Sequence, residues 1–388
     1  MYRPTRRRRT TLLWCAICSL GVLVIASCGD DSPTAKAPTV GGSGTSAASK
    51  CFAKPTTAPI DATAVAATDT KGTELTLVTH DSFAVSKGLL EDFTTKTGIS
   101  VKVLKSGDAG AMVSQSVLTA GKPLGDVMFG IDNTLLCRGL NANIFTPYVS
   151  PGLADVPAAL ALDPQHRVSP IDVGDVCLNY SRAAFANATP PKSLDDLTAA
   201  AYKDAFVTEN PDTSSTGLAF LLATVAKYGD NGFEAYWKKL RANGVEVEAG
   251  WEQAYNESFG AGKGKRSIVT SYATSPAADL MFADPPVSAP TIGVVDDSCF
   301  RQIEFAGVLT GTKHPEAAAK LVDFLLSKTF QEDIPANMFV FPSSTKATLP
   351  KEFTTSVRLV DKPLTLDPAQ IEANRDDWTN RWTKVVLR

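Results

Sequence analysis

The sequence predicts an α/β protein built as two lobes hinged by two crossing strands. Three observations carry this. Residues 74–388 are more than one hydrophobic core of about 250–300 residues accommodates, so the chain divides. The first third of that body alternates strand and helix signals, which calls for a parallel sheet with right-handed crossovers. Two long strand-like runs, Ile171 to Tyr180 and Cys299 to Leu309, stand far apart in sequence, as strands that cross between lobes do.

The elements follow in order. Leu75–Thr79 is a short β-rich run. Ser86 to Lys96 sets Leu89, Leu90 and Phe93 on one helical face, and Gly98 stops it. Val101–Leu104 reads as a strand, Asp108 to Ala120 as a helix, and Asp126–Ile131 as a third strand. Farther on, Ser193-Leu194-Asp195-Asp196 has the form of a capping box opening a helix. Gly217 to Lys227 and Phe233 to Leu240 read as helices, and Ser267–Tyr272 as a strand. Thr274-Ser275-Pro276 then opens a helix with a hydroxyl cap and an early proline. The last helix, Pro368 to Val386, carries Trp378 and Trp382 four apart, a docked core face.

Ahead of the body lies an export signal. Five arginines, Arg3 and Arg6 to Arg9, precede an apolar run from Leu12 to Ile25, too short for a membrane span of about 20 residues. The run ends in Ile25-Ala26-Ser27-Cys28, which resembles the lipobox of bacterial lipoproteins. This implies a signal peptide over 1–27 and lipid on Cys28. Residues 28–73, with Gly41-Gly42-Ser43-Gly44, carry few large apolar side chains and read as a disordered tether. The expected location is the outer face of the cytoplasmic membrane, as a periplasmic or cell-envelope lipoprotein.

Seven cysteines occur. Cys15 and Cys18 leave with the signal, and Cys28 is assigned to the lipid. Cys51, Cys137, Cys177 and Cys299 remain in an oxidising compartment, where three pairings or free thiols are open. Cys177 and Cys299 sit on the two crossing strands, so they are expected to pair, leaving Cys51 with Cys137.

Composition excludes some functions. Hydrophobic residues make up 44% and charged residues 20%, ordinary for a globular chain, and a net charge of −3 gives no reason to expect a nucleic-acid partner. The three histidines, His80, His166 and His314, lack metal-ligand spacing, and no nucleophile elbow, Walker loop or dinucleotide fingerprint occurs. The expectation is a monomeric binding protein with no catalytic residue, metal or cofactor. What the sequence does offer is polar and aromatic residues at strand ends, where open α/β sheets take ligands.

Five of these runs, in order, resemble the thiamine-binding periplasmic proteins of bacterial ABC importers. They are His80-Asp81-Ser82-Phe83, Gly130-Ile131-Asp132-Asn133, Asn210 to Leu218, Gly250-Trp251-Glu252-Gln253-Ala254-Tyr255 and Ser271-Tyr272-Ala273-Thr274-Ser275-Pro276. The resemblance implies a periplasmic-binding-protein-like fold of type 2 and a cleft that closes on a solute. It implies lobe 1 over 74–174 and 303–388, and lobe 2 over 175–302. His80, Asp81, Ser82, Asp132 and Asn133 would face the cleft from the first lobe. Thr213, Ser214, Ser215, Trp251, Tyr255, Tyr272 and Ser275 would face it from the second, with Phe339 in the place of a family tryptophan. The implied ligand is thiamine or a thiamine phosphate, whose ring cation suits an aromatic face, and the implied partners are the importer's permease and ATPase. His80 stands where the family has a tyrosine. Other ligands on the same fold would be a polyamine, a phosphonate or ferric ion. The absence of adjacent tyrosines speaks against iron. An exported enzyme on this fold would need an acid–base pair such as Asp81 with Asp132.

Overall fold

In the computed structural model the described residues are 51–388. The expected signal peptide, the Cys28 lipidation site and the first part of the tether lie outside them. The remainder of the tether is folded, which corrects the expectation of disorder up to residue 73. Cys51 is buried and disulfide-bonded to Cys137, and its carbonyl accepts a hydrogen bond from the buried Arg167. A short helix, Ala62–Ala67, is capped by Asp61 and buries Val65. Few apolar side chains suffice here because a covalent bond, a cap and a buried guanidinium hold the segment down.

Strands β1 (Glu74–Thr79), β2 (Ser100–Lys105) and β3 (Val127–Asp132) form a parallel set in the order β2-β1-β3. The helices Leu89–Thr97 and Ala109–Leu118 connect them. After the two-residue β4 (Phe145–Thr146) comes β5 (Ser169–Ser181), the first crossing strand. The second lobe contributes β6 (Phe206–Glu209), β7 (Glu246–Glu248) and β8 (Ile268–Tyr272), and then β9 (Ile292–Leu309) crosses back. The last strand is β10, Phe341–Pro342. The sheet runs β2-β1-β3-β9-β5-β8-β6-β7, with β5 and β9 antiparallel at its centre. These two strands join the lobes, and the Cys177–Cys299 disulfide links them.

Strand β9 begins earlier than the sequence suggests. Asp296 and Asp297 are exposed where its pairing with β5 shifts register, and this polar bulge hides the strand's first third from pattern reading. The capping box at Ser193 yields only a 3₁₀ turn, Asp195–Thr198, although the Asp196 carboxylate accepts from the Lys192 and Ser193 amides. Thr274 precedes the helix Ser275–Phe282 without a side-chain cap bond.

The last helix, Pro368–Val386, spans both lobes instead of belonging to the first alone. Trp382 is buried edge-on against Trp237 at 5.5 Å, and Trp378 donates to Asp230 at 2.7 Å. Arg381 pairs with Asp230 and Glu234 beside the helix Phe233–Ala242. Across the helix, Asn141 of the first lobe reaches Glu372.

Candidate functional site

A cavity of about 370 Å³ opens between the lobes at the strand C-termini. Its aromatic wall comes from the second lobe. Residues Glu252–Ser258 form a π-helical turn, and Trp251 stacks on Tyr255 with ring centroids 4.8 Å apart and planes at 12°. Tyr272, at the end of β8, tilts toward Trp251 at 6.3 Å. Trp251 Nε1 donates to Ser271 Oγ at 3.0 Å, and Ser271 meets Ser275 at 3.3 Å, so the ring's position is fixed by hydroxyls. Phe339 closes the opposite side in left-handed backbone (φ 59°), edge-on to the exposed Phe282 across the mouth at 5.4 Å. Such a conformation costs of order 1–3 kcal/mol in a non-glycine residue and is held by its surroundings.

Glu304 makes the floor acidic, and two buried carboxylates stand beside it in the sheet. Asp132, Glu304 and Asp172 lie in register on the adjacent strands β3, β9 and β5, which puts three carboxylates in a row. Glu304 lines the cavity and faces His80, whose Nε2 lies 3.5 Å from Glu304 Oε2. That separation is an ion-pair contact, longer than a good hydrogen bond. Gly130 makes it feasible: at φ 101° it has no side chain, and a Cβ there would stand 2.2 Å from the His80 ring. Burial opposes charge on His80, but Glu304, with Asp108 and Asp81 behind it, outweighs burial and raises the imidazole above its ordinary value. Burial pushes Asp132 up to about 6, against hydrogen bonds from Thr134 and Gln302. Asp172 and the unpartnered Glu209 are pushed well up by burial first and by neighbouring carboxylates second.

Among the predicted residues, the structure brings His80, Ser82, Ser215, Trp251, Tyr255, Tyr272, Ser275 and Phe339 to the cavity. The other five do not line it. The Asp132 carboxylate turns into the protein, accepting from the Thr134 and Leu135 amides, the Thr134 hydroxyl and Gln302. Gln302 also donates to Ser215 at 3.2 Å, so Asp132 reaches the cavity only through Gln302. Asn133 pins β3 to β9 through Arg301 O and Ile303 N. Asp81 makes backbone contacts to Gly107 and Lys105. Thr213 bonds Ala249 O, and Ser214 caps the helix Ser215–Tyr228.

Sequence reading missed Asp108 and Glu304. Asp108 belongs to the first lobe, where it caps the helix Ala109–Leu118. Its Oδ1 also accepts from the Ser215 amide at 3.2 Å and its Oδ2 from the Trp251 amide at 3.1 Å, both in the second lobe. Gly110 permits this approach, since a Cβ there would lie 2.8 Å from the Thr213 backbone. Burial raises Asp108, while the Trp251 amide and His80 oppose it.

A family described as bacterial extracellular solute-binding protein matches residues 122–359. The chain belongs to that family. Among curated proteins, the thiamine-binding periplasmic protein of Salmonella typhimurium is 30% identical over 322 residues, covering 81% of this chain and 94% of the relative. Its counterpart in Escherichia coli is 29% identical over 321 residues, covering 81% of this chain and 94% of that one. A solved periplasmic thiamin binding protein superposes with a TM-score of 0.72 at 26% identity, covering 81% of this chain and 96% of that one. A ferric binding protein from Campylobacter jejuni shares the fold at 18% identity and a TM-score of 0.64, covering 80% and 99%. The two-lobed solute-binding fold is thus common to proteins with different cargoes.

Proposed function

We propose that this chain is an extracytoplasmic solute-binding lipoprotein that binds thiamine or its phosphates in the inter-lobe cleft and delivers them to an ABC permease. One observation carries the reading: an aromatic wall of Trp251, Tyr255 and Tyr272 faces an acidic floor at Glu304, with no lysine or arginine lining the cavity among the described residues. A flat organic cation is what such a site stabilises. Its ring gains roughly 0.5–2 kcal/mol over an aromatic face, more as water is excluded. The relatives named for thiamine supply the specific ligand. Binding without turnover is the activity of a receptor. Lipid attachment at Cys28 rests on the lipobox-like run, and would hold the body at the membrane beside the permease. Calorimetry on protein stripped of bound ligand tests the proposal. Stoichiometric heat on adding thiamine supports it, and no heat and no thermal shift at millimolar thiamine or thiamine phosphate defeats it.

A further inference from the structure

His80 and Glu304 line the same cavity and face each other across it, Nε2 to Oε2, at 3.5 Å. Both side chains are largely covered, at 12% and 11% exposed, and His80 Nε2 has no hydrogen-bond acceptor at good geometry. Charge therefore holds the imidazole edge to Glu304. The ring lies over Gly130, where a Cβ would stand 2.2 Å away, and beside the uncharged Phe129 at 6.0 Å. Every other charged group turned toward it is acidic. Asp81 comes from its own loop and Asp108 from the cap of the helix Ala109–Leu118. Lys105, on β2, gives its ammonium to the Asp81 carbonyl at 2.7 Å, and burial first, then the surrounding carboxylates, keep the Tyr272 hydroxyl neutral. Burial opposes charge on His80, but Glu304, then Asp108 and Asp81, outweigh it. Among the described residues His80 is the one basic group lining the cavity.

We infer that His80 is an exchangeable internal cation: it neutralises Glu304 while the cleft is empty, and a cationic ligand replaces it as the positive charge in the cavity, so that ligand uptake is a cation-for-proton exchange. The inference deepens the thiamine reading and rests on it. The balance is simple. One ligand charge enters, the His80 N–H bond breaks, its proton passes to the solvent buffer, and the imidazole is left neutral. The exchange does not depend on how the ligand lies. In a cavity of about 370 Å³ a ligand cation stays within roughly 10 Å of His80 wherever its ring settles, a distance over which charges act even in salt water and more strongly in a closed cleft. A tyrosine, which the thiamine-binding family carries at this place, holds no positive charge to exchange. The sign follows from linkage. The empty protein holds the proton to above 6.5, and a neighbouring cation lowers that value. Between the two values binding releases a proton and affinity climbs with pH; above the higher one it levels off.

The test is calorimetry of thiamine binding to ligand-stripped full-length protein, in phosphate and in Tris, whose different heats of ionisation count the protons released. Wild type is expected to release about half a proton to one proton near pH 7, and to gain at least about tenfold in affinity between about pH 6 and 8.5. The His80 imidazole, followed by NMR, is expected to titrate at a lower pH with thiamine bound. His80→Gln keeps a donor for Glu304 and cannot hold a proton, so its affinity is expected to be nearly independent of pH and its binding heat the same in both buffers. Should that variant melt at a much lower temperature, His166→Gln and His314→Gln, which replace the chain's other histidines, assign the His80 signal in wild type. Equal heats in the two buffers with a flat pH profile overturn the inference and leave the thiamine reading standing. So does proton release accompanied by an unmoved His80 titration, which would place the proton on a buried carboxylate such as Asp132 or Asp172. Absence of any thiamine binding defeats the reading and the inference together.

Discussion

Trp251 and Tyr255 stack nearly parallel, their ring centroids 4.8 Å apart, from one turn of a π-helical segment. The pair presents a continuous aromatic face whose outer ring is tied to Ser271 through the indole N–H. Wider helical turns of this kind are rare and occur often at functional sites.

A flat cation held on that face depends on its area. Tyr272→Ala should weaken thiamine binding by about 1–3 kcal/mol, from lost stacking and lost apolar contact. Trp251 packs against a small cluster of Val207, Tyr255 and Phe259 as well as the cavity, so it serves both structure and site. Trp251→Phe should therefore lower affinity and also lower stability by about 1 kcal/mol, through the lost bond to Ser271. Calorimetry paired with thermal melts separates the effects. Lost stability with unchanged thiamine affinity would make Trp251 a core residue only.

Stability should fall as pH rises from about 3.8 to 6, the interval that Asp132 sets, and further as His80 loses its proton above 6.5. The unfolded chain releases the Asp132 proton near its ordinary 3.8, whereas the folded chain holds it to about 6. Within that window the native state binds the extra proton, so stability declines with rising pH, by roughly 3 kcal/mol at most from this group. His80 acts in the same direction. Its folded value is raised, so its contribution is complete below 6.5 and disappears as pH climbs through the folded value. Urea midpoints across this range should show the decline in wild type and a shallower one in Asp132→Asn. Identical slopes for the two proteins would rule Asp132 out as the source.

The architecture was legible because local signals agreed with it. The β1 and β3 runs and the intervening helices are apolar at the right spacing, and the two crossing strands are long and continuous. The aromatic half of the site was legible too, as Gly250–Tyr255 and Ser271–Pro276. The acidic half was not. Glu304 sits within a long apolar strand, and its register beside Asp132 and Asp172 depends on pairing that no local pattern specifies. Asp108 looks like an ordinary helix cap, and its partner Ser215 is 107 residues away. Asp132 was misread for the opposite reason. A carboxylate at a strand end invites a ligand role, yet the following Thr134 and Leu135 amides claim it as a local turn.

Lipid attachment has a direct readout. Cys28→Ser should move the protein from the membrane fraction to the soluble fraction after export, because one residue carries the proposed anchor. Thiamine binding should be unchanged, since the described site is built entirely from residues beyond Cys51. Membrane retention of the serine variant, with the same migration as wild type, would count against the lipoprotein reading.

Glu304 is the charge on which cation recognition should turn. It stands directly opposite Asp132, which burial pushes up only to about 6 and which is therefore charged at pH 7.5, and like charges directly opposite one another destabilise a sheet. It also raises His80 and Asp172 above their ordinary values, after burial, which lowers His80 and raises Asp172. Glu304→Gln keeps the side chain's shape and removes its charge. The ligand-free protein should be no less stable at pH 7.5, and more stable by about 0.2–1 kcal/mol if the row repels as its geometry implies. The His80 imidazole, followed by NMR, should titrate at a lower pH than in wild type. Thiamine affinity should drop about tenfold, the effect of one desolvated charge contact worth near 1.4 kcal/mol. An uncharged thiamine isostere, with a neutral ring in place of the thiazolium, should bind wild type and variant alike. That comparison decides the matter, because a shape defect weakens both ligands while a charge defect weakens only the cation. Equal losses for thiamine and the neutral isostere would show that Glu304 shapes the cavity without recognising the charge.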